Sequence, residues 1–247
     1  MKFGVAQYGM DFWDKGKSDI ETRLSRLKEI GYEGTEQFSA SDPADALHKA
    51  FLYKKLGMDF RYCSGPDADA TMRWTAAFGK PYVPVAADGD DFDSYCRSAD
   101  RYGDACRRLG LRAALHNHLD TWVETAEQID DFLARCPNCG LVLDTAHLAL
   151  ADGDPVEVVR KHVDRIDGLH IKDWLVTNPE IGRDMWIDRG RFCELGAGNI
   201  GLDNAAVLRA LAEAGYDRWV FVEQDTYLRD PFKDLAVSRQ FIRGAGI

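Results

Sequence analysis

Eight short apolar runs recur along this chain, and each is followed by a segment of helical spacing or by a long loop. The runs are Lys2–Tyr8, Tyr32–Gln37, Met58–Cys63, Tyr82–Ala86, Leu111–His116, Gly140–Asp144, Ile166–Ile171 and Trp219–Glu223. Between them the spacing predicts helices over Asp19–Ile30, Pro43–Leu56, Asp67–Phe78, Phe92–Leu109, Thr125–Cys136, Pro155–Val163, Asp203–Ala214 and Pro231–Arg243. The first is typical: Ile20, Leu24, Leu27 and Ile30 share a face, Ser18 or Asp19 can cap it, and Gly31 stops it. The stretch from Trp174 to Gly201 is long and poorly periodic, and loops of that length inside a compact domain tend to be functional.

Strands alternating with helices favour a parallel sheet joined by crossover helices. Eight such units in 247 residues fit a closed barrel better than an open doubly wound sheet, since such barrels typically take roughly 250 residues. The expected fold is therefore α/β, a single (β/α)8 TIM barrel spanning residues 1–247 as one domain. Gly196–Gly201 spells a dinucleotide-type glycine motif, but it follows a loop rather than the first strand.

The net charge of −10 and the pI near 5.1 weigh against nucleic acid as a partner and against a polybasic membrane surface. No apolar run approaches the roughly 18 residues of a membrane span. The N-terminus leads straight into a strand without a signal-peptide core, so a cytoplasmic location is expected. The six cysteines are scattered, as reduced thiols would be, and Cys136-Pro137-Asn138-Cys139 reads as a pair of incidental turn cysteines.

Function concentrates in four clusters at strand C-termini: His116-Asn117-His118, Asp144-Thr145-Ala146-His147, His170-Ile171-Lys172-Asp173 and Glu223-Gln224-Asp225. In a barrel these ends form the active-site face. Residues two apart on a strand share a side, so His116 and His118, His170 and Lys172, and Glu223 and Asp225 can each face the mouth together. By the same parity Asp173 points away and is structural. Carboxylates with an imidazole suit a six-coordinate divalent ion such as Mn²⁺, Co²⁺ or Mg²⁺ better than a thiolate-type zinc site. Such an ion polarises a carbonyl and stabilises an enediolate, while neighbouring acids or imidazoles move protons. Glu36, at the end of the second strand, is a candidate substrate contact. Trp13, Trp122, Trp174 and Trp186 are placed in loops at the mouth, as sugar-stacking faces or as lids.

These clusters resemble the xylose-isomerase-like barrel superfamily of sugar isomerases, epimerases and inosose dehydratases. The resemblance covers nearly the whole chain. It is strongest from Leu115-His116-Asn117-His118 through Asp144-Thr145-Ala146-His147 and His170-Ile171-Lys172-Asp173 to the Gly196–Gly201 loop and Glu223. It implies a metal held by Glu124, Asp144, His170 and Glu223, with His116 as the substitute for Glu124. Mn²⁺ is the leading ion, with Co²⁺, Mg²⁺ or Zn²⁺ as alternatives. It further implies proton transfer by His118, His147, Glu124 or Glu223, and substrate contacts from His116, Lys172, Glu36 and Asp225. The implied substrate is a small keto-sugar or keto-inositol; the sequence has no Walker-type loop, so an unphosphorylated substrate is expected. The implied reaction is dehydration of an inosose type, with isomerisation, epimerisation or elimination from a 3-oxo-glycoside as alternatives. An apurinic endonuclease and a non-catalytic binding protein are the remote readings. A homodimer is the base-rate expectation.

Overall fold

The computed structural model describes residues 1–7, 18–226 and 228–247. In chain order they form β1 (Lys2–Val5), α1 (Ile20–Ile30), β2 (Gly34–Ser39), α2 (Pro43–Leu56), β3 (Asp59–Ser64), α3 (Ala68–Ala77), β4 (Tyr82–Pro84), α4 (Phe92–Arg108), β5 (Arg112–His116), α5 (Ala126–Arg135), β6 (Cys139–Asp144), α6 (Thr145–Leu150), α7 (Pro155–His162), β7 (Ile166–Ile171), β8 (Asp173–Val176), α8 (Trp186–Arg189), β9 (Gly190–Cys193), α9 (Asn204–Glu213), β10 (Trp219–Val222) and α10 (Pro231–Gly244). Eight parallel strands run in the order β3-β2-β1-β10-β7-β6-β5-β4, and β3 and β4 stand side by side, so the sheet is a nearly closed barrel. This is the (β/α)8 architecture expected from the sequence.

The helices start where the chemistry of the caps says they should. Eight of them accept an N-terminal backbone N–H on an aspartate: Asp19, Asp42, Asp67, Asp91, Asp144, Asp154, Asp203 and Asp230. A carboxylate at that position also meets the positive end of the helix dipole. Asp144, the last residue of β6, is at once such a cap and a strand end at the barrel mouth. Gly31 ends α1 with φ 103°, a left-handed conformation open to glycine at little cost.

Inside the barrel, large and small side chains alternate so that the strands can approach. Trp219 and Phe221 of β10 stack at 5.5 Å between ring centroids. Phe221 fills the space that Gly4 leaves open: a Cβ on Gly4 would lie 2.8 Å from its ring. Gly168 leaves room for the Tyr82 hydroxyl in the same way, at 2.9 Å. Such interdigitation is how a barrel interior becomes a packed core.

Two features depart from the expected pattern. The Trp174–Gly201 stretch contains an antiparallel hairpin, β8 paired with β9, with α8 at its tip. Between β6 and β7 the register shifts at Leu141 and Val142, which pair with Ile166 and Gly168 and leave Asp167 unpaired. That is a β-bulge, a device that re-aims a side chain. All six cysteines are free and buried. No helix among the described residues is long and apolar enough to cross a membrane.

Candidate metal centre and active-site cavity

The C-terminal ends of β5, β6, β7 and β10 bring four side chains together. His116, Asp144, His170 and Glu223 each offer one ligand atom, and these atoms lie within 4.8 Å of one another. Two imidazoles and two carboxylates at that spacing suit a divalent ion. The local charge fits as well. Lys172 Nζ stands 2.7 Å from Asp225, 2.9 Å from Glu223 and 3.5 Å from Asp144, and Glu36 lies 2.8 Å from His170. Three carboxylates thus surround one ammonium and a fourth meets the His170 imidazole, and the excess of negative charge is what a dication neutralises.

Burial sharpens each interaction. Lys172 is 1 % exposed. Burial disfavours its ammonium, but Glu223, Asp144 and Asp225 outweigh that and raise its pKa. Burial likewise opposes ionisation of Asp144 and Glu223, yet Lys172 and the neighbouring imidazoles hold both well below the usual carboxylate range. His170 donates between Glu223 on Nδ1, at 2.9 Å, and Glu36 on Nε2, at 2.8 Å. Those two carboxylates overcome its desolvation and push its pKa up.

Several expected residues have other partners. Glu124 stands outside the ligand cluster. It immediately precedes Thr125, the N-cap of α5, and its backbone N–H donates to Gln128 Oε1 at 2.8 Å. The helix start fixes its backbone there, while His116 at the strand end occupies the fourth position. Glu36 accepts from the Tyr82 hydroxyl at 2.9 Å as well as meeting His170, so it orients an imidazole. Such carboxylate–imidazole contacts fix the tautomer of a ligating histidine. Asp144 is both a cluster member and the N-cap of α6, accepting from His147 N–H at 2.8 Å. Asp173 accepts from the Gly196 and Gly198 N–H groups, so these amides of the glycine loop already have a partner.

Above the cluster lies a cavity of about 440 Å³ lined by Glu36, His116, His118, His170, Lys172, Trp186, Phe192, Glu223 and Asp225, among others. His118 Nδ1 lies 2.6 Å from Leu119 O. A carbonyl only accepts, so Nδ1 carries a proton, and Nε2 is the remaining ring nitrogen. His147 stacks on His118 with ring centroids 3.6 Å apart. It is fully buried, and desolvation pulls its pKa down to about 3. Trp186 forms one wall, its indole donating to Asp120 at 2.8 Å, and packs on Trp174, which is buried. Trp122 is exposed, and Trp13 lies outside the described residues.

Sequence reasoning passed over four residues that build the site. Asn117 clamps β5 to β6, accepting from Asp144 N–H and donating to Asp144 O. Thr145 Oγ1 and Asn204 hold the backbone of Lys172. Phe192 places its ring 4.1 Å from the Lys172 ammonium. Asn117 and Thr145 lay within the His116–His118 and Asp144–His147 clusters, but nothing local marked the other two.

A family model described as a xylose isomerase-like TIM barrel matches residues 67–244. The chain belongs to the xylose isomerase-like TIM-barrel family. An inosose dehydratase of Geobacillus kaustophilus is 32% identical over 96% of this chain and 75% of its own length. Another from Lactiplantibacillus plantarum is 29% identical over 66% of this chain, which there spans only 56% of the relative. A solved L-ribulose 3-epimerase superposes with a TM-score of 0.72 at 20% identity, over 99% of this chain and 94% of that one. The last likeness establishes the shared barrel.

Proposed function

We propose that this family member is a divalent-metal-dependent lyase that dehydrates a keto-polyol of the inosose type. The observation that carries the reading is the cluster of His116, Asp144, His170 and Glu223 beneath a cavity that His118 also lines. Those four residues would hold the ion, with Mn²⁺ as the leading choice because carboxylate oxygens suit it. When bound, the ion supplies Lewis-acid polarisation of a keto group.

The chain's own residues do the rest. His118, with Nδ1–H turned to Leu119 O, takes on Nε2 the proton from the carbon beside the keto group and returns it to the β-hydroxyl, whose C–O bond breaks as the C=C bond forms, so that the hydroxyl leaves as water. Asp225 Oδ1 is buried without a partner among the described residues, so it is available to a substrate hydroxyl. Lys172, fixed by its carboxylates, sits beside it as a second anchor for polar substrate groups. Trp186 and Phe192 close the cavity against water. His147, held neutral, positions His118 by stacking. The imidazole of His116 stands where sugar isomerases often carry a carboxylate. Its presence removes one candidate base from that side and favours elimination over epimerisation.

The test is a substrate screen with the Mn²⁺-loaded protein against an inosose, ketohexoses and 3-oxo-glycosides. The expected result is loss of water from the inosose, abolished by chelation and restored by Mn²⁺. Interconversion of ketose epimers without loss of water would replace this reading with an epimerase.

A further inference from the structure

The opposite end of the barrel carries a second cavity, of about 720 Å³. Its lining reverses the charge of the molecule. In the whole chain Asp and Glu outnumber Lys and Arg by 41 to 31. Here the lining carries five cations, Lys2, Arg61, Arg107, Arg112 and Arg218, against two acids, Asp167 and Asp217. We propose that this cavity binds a small phosphorylated metabolite at a site separate from the active site.

A simpler account is that these cations complement helix dipoles, because the helices end at this face. That explains Arg107, in the last turn of α4. It does not explain the others, which come from strands or strand starts. Lys2 begins β1, Arg61 lies in β3, Arg112 begins β5, and Arg218 immediately precedes β10. Arg112 has the same strand parity as His116, so one strand serves both mouths.

Internal ion pairs offset part of the charge, and Arg107 pairs with Asp104 at 2.7 Å. Arg112 and Arg218 share one oxygen of Asp167, at 3.1 and 3.9 Å. Lys2 and Arg61 both stand over the ring of Trp219, which also lines the cavity, at 5.6 and 4.9 Å. Arg61 also pairs with Asp59, yet its Nε–H is buried without a partner. Converging guanidinium groups match the geometry of phosphate oxygens. The cavity has room for the carbon skeleton that bears the phosphate, which points to an ester rather than a bare ion.

Calorimetric titration of the full chain, loaded with its divalent ion, with glycerol 3-phosphate and with inorganic phosphate at matched ionic strength tests this. Saturable binding of one equivalent is expected, tighter for the ester. Lys2→Gln combined with Arg107→Gln removes two exposed cations and should weaken binding by about tenfold. Asp217→Asn, also at an exposed site, should tighten it. Asp144→Asn, in the active site, should leave it unchanged. The proposal is overturned by absence of saturable binding, by equal binding in the Lys2/Arg107 double variant, or by loss of binding in Asp144→Asn alone. Binding of inorganic phosphate as tight as the ester overturns the metabolite assignment.

Discussion

The Lys172 ammonium lies 2.9 Å from Glu223 Oε2, with the two side chains 1 % and 8 % exposed. A buried charge pair of this kind is held by its neighbours, and removing one partner strands the others. Lys172→Met should therefore destabilise the metal-free protein by about 3–5 kcal/mol. Among the described residues the same change deletes the only ammonium beside Asp144, Glu223 and Asp225, so Mn²⁺ should bind about tenfold tighter, a gain of about 1.4 kcal/mol. Urea unfolding with and without Mn²⁺ checks both signs. Weaker metal binding in this variant would place the ion elsewhere.

The fourth ligand position separates two residues. His116→Ala should weaken Mn²⁺ binding by at least the 10–100-fold (about 1.4–2.8 kcal/mol) typical of supporting contacts. Glu124→Gln should change it less than about twofold, a small fraction of 1.4 kcal/mol. Isothermal titration of both variants decides which side chain completes the cluster, and a reversed pattern would restore Glu124.

Glu36 accepts from Tyr82 while meeting His170. Glu36→Gln keeps the shape but alters the partner that orients the imidazole. Metal affinity should fall by about 10–100-fold. If KM rises with metal affinity unchanged, Glu36 contacts substrate instead.

Asp167 provides the pH dependence. Burial raises its carboxyl to about 6, although Arg112, Arg218 and Arg165 pull the other way, and buried Tyr216 lies near. Asp167 Oδ2 has no hydrogen-bond partner among the described residues. With the folded value above the unfolded one, the protonated form is favoured by folding. That contribution is full below pH 3.8 and is lost as pH rises through about 6. A shift of this size corresponds to about 3 kcal/mol. Asp167→Asn should remove this dependence, so the stability difference between variant and parent should move in the variant's favour between pH 4 and pH 7. Denaturant titrations at both ends of that range measure it, and a constant difference refutes it.

Gly34 tests the packing of the barrel. A Cβ there would lie 2.1 Å from the Asp59 carbonyl oxygen and 2.9 Å from Trp219. The first neighbour is backbone and cannot swing away. Gly34→Ala should cost about 1–3 kcal/mol, seen as a lower thermal midpoint.

The sequence by itself determined the alternation of strands and helices, most of the helix caps, and the face to which paired strand-end residues point. These are local properties: an aspartate cap or a two-residue parity is set within one turn or one strand. His116 and His118, His170 and Lys172, and Glu223 and Asp225 accordingly line one cavity. Tertiary structure decided what depends on neighbours distant in the chain. Whether His116 or Glu124 reaches Asp144 depends on where α5 begins relative to β5. The β8–β9 hairpin was hidden because its strands are four residues each and pair across an irregular tip. The inward turn of Asp167 follows from a register shift between β6 and β7 that no single strand encodes. The basic cavity at the far end joins Lys2, Arg61, Arg112 and Arg218, residues that only closure of the barrel brings together.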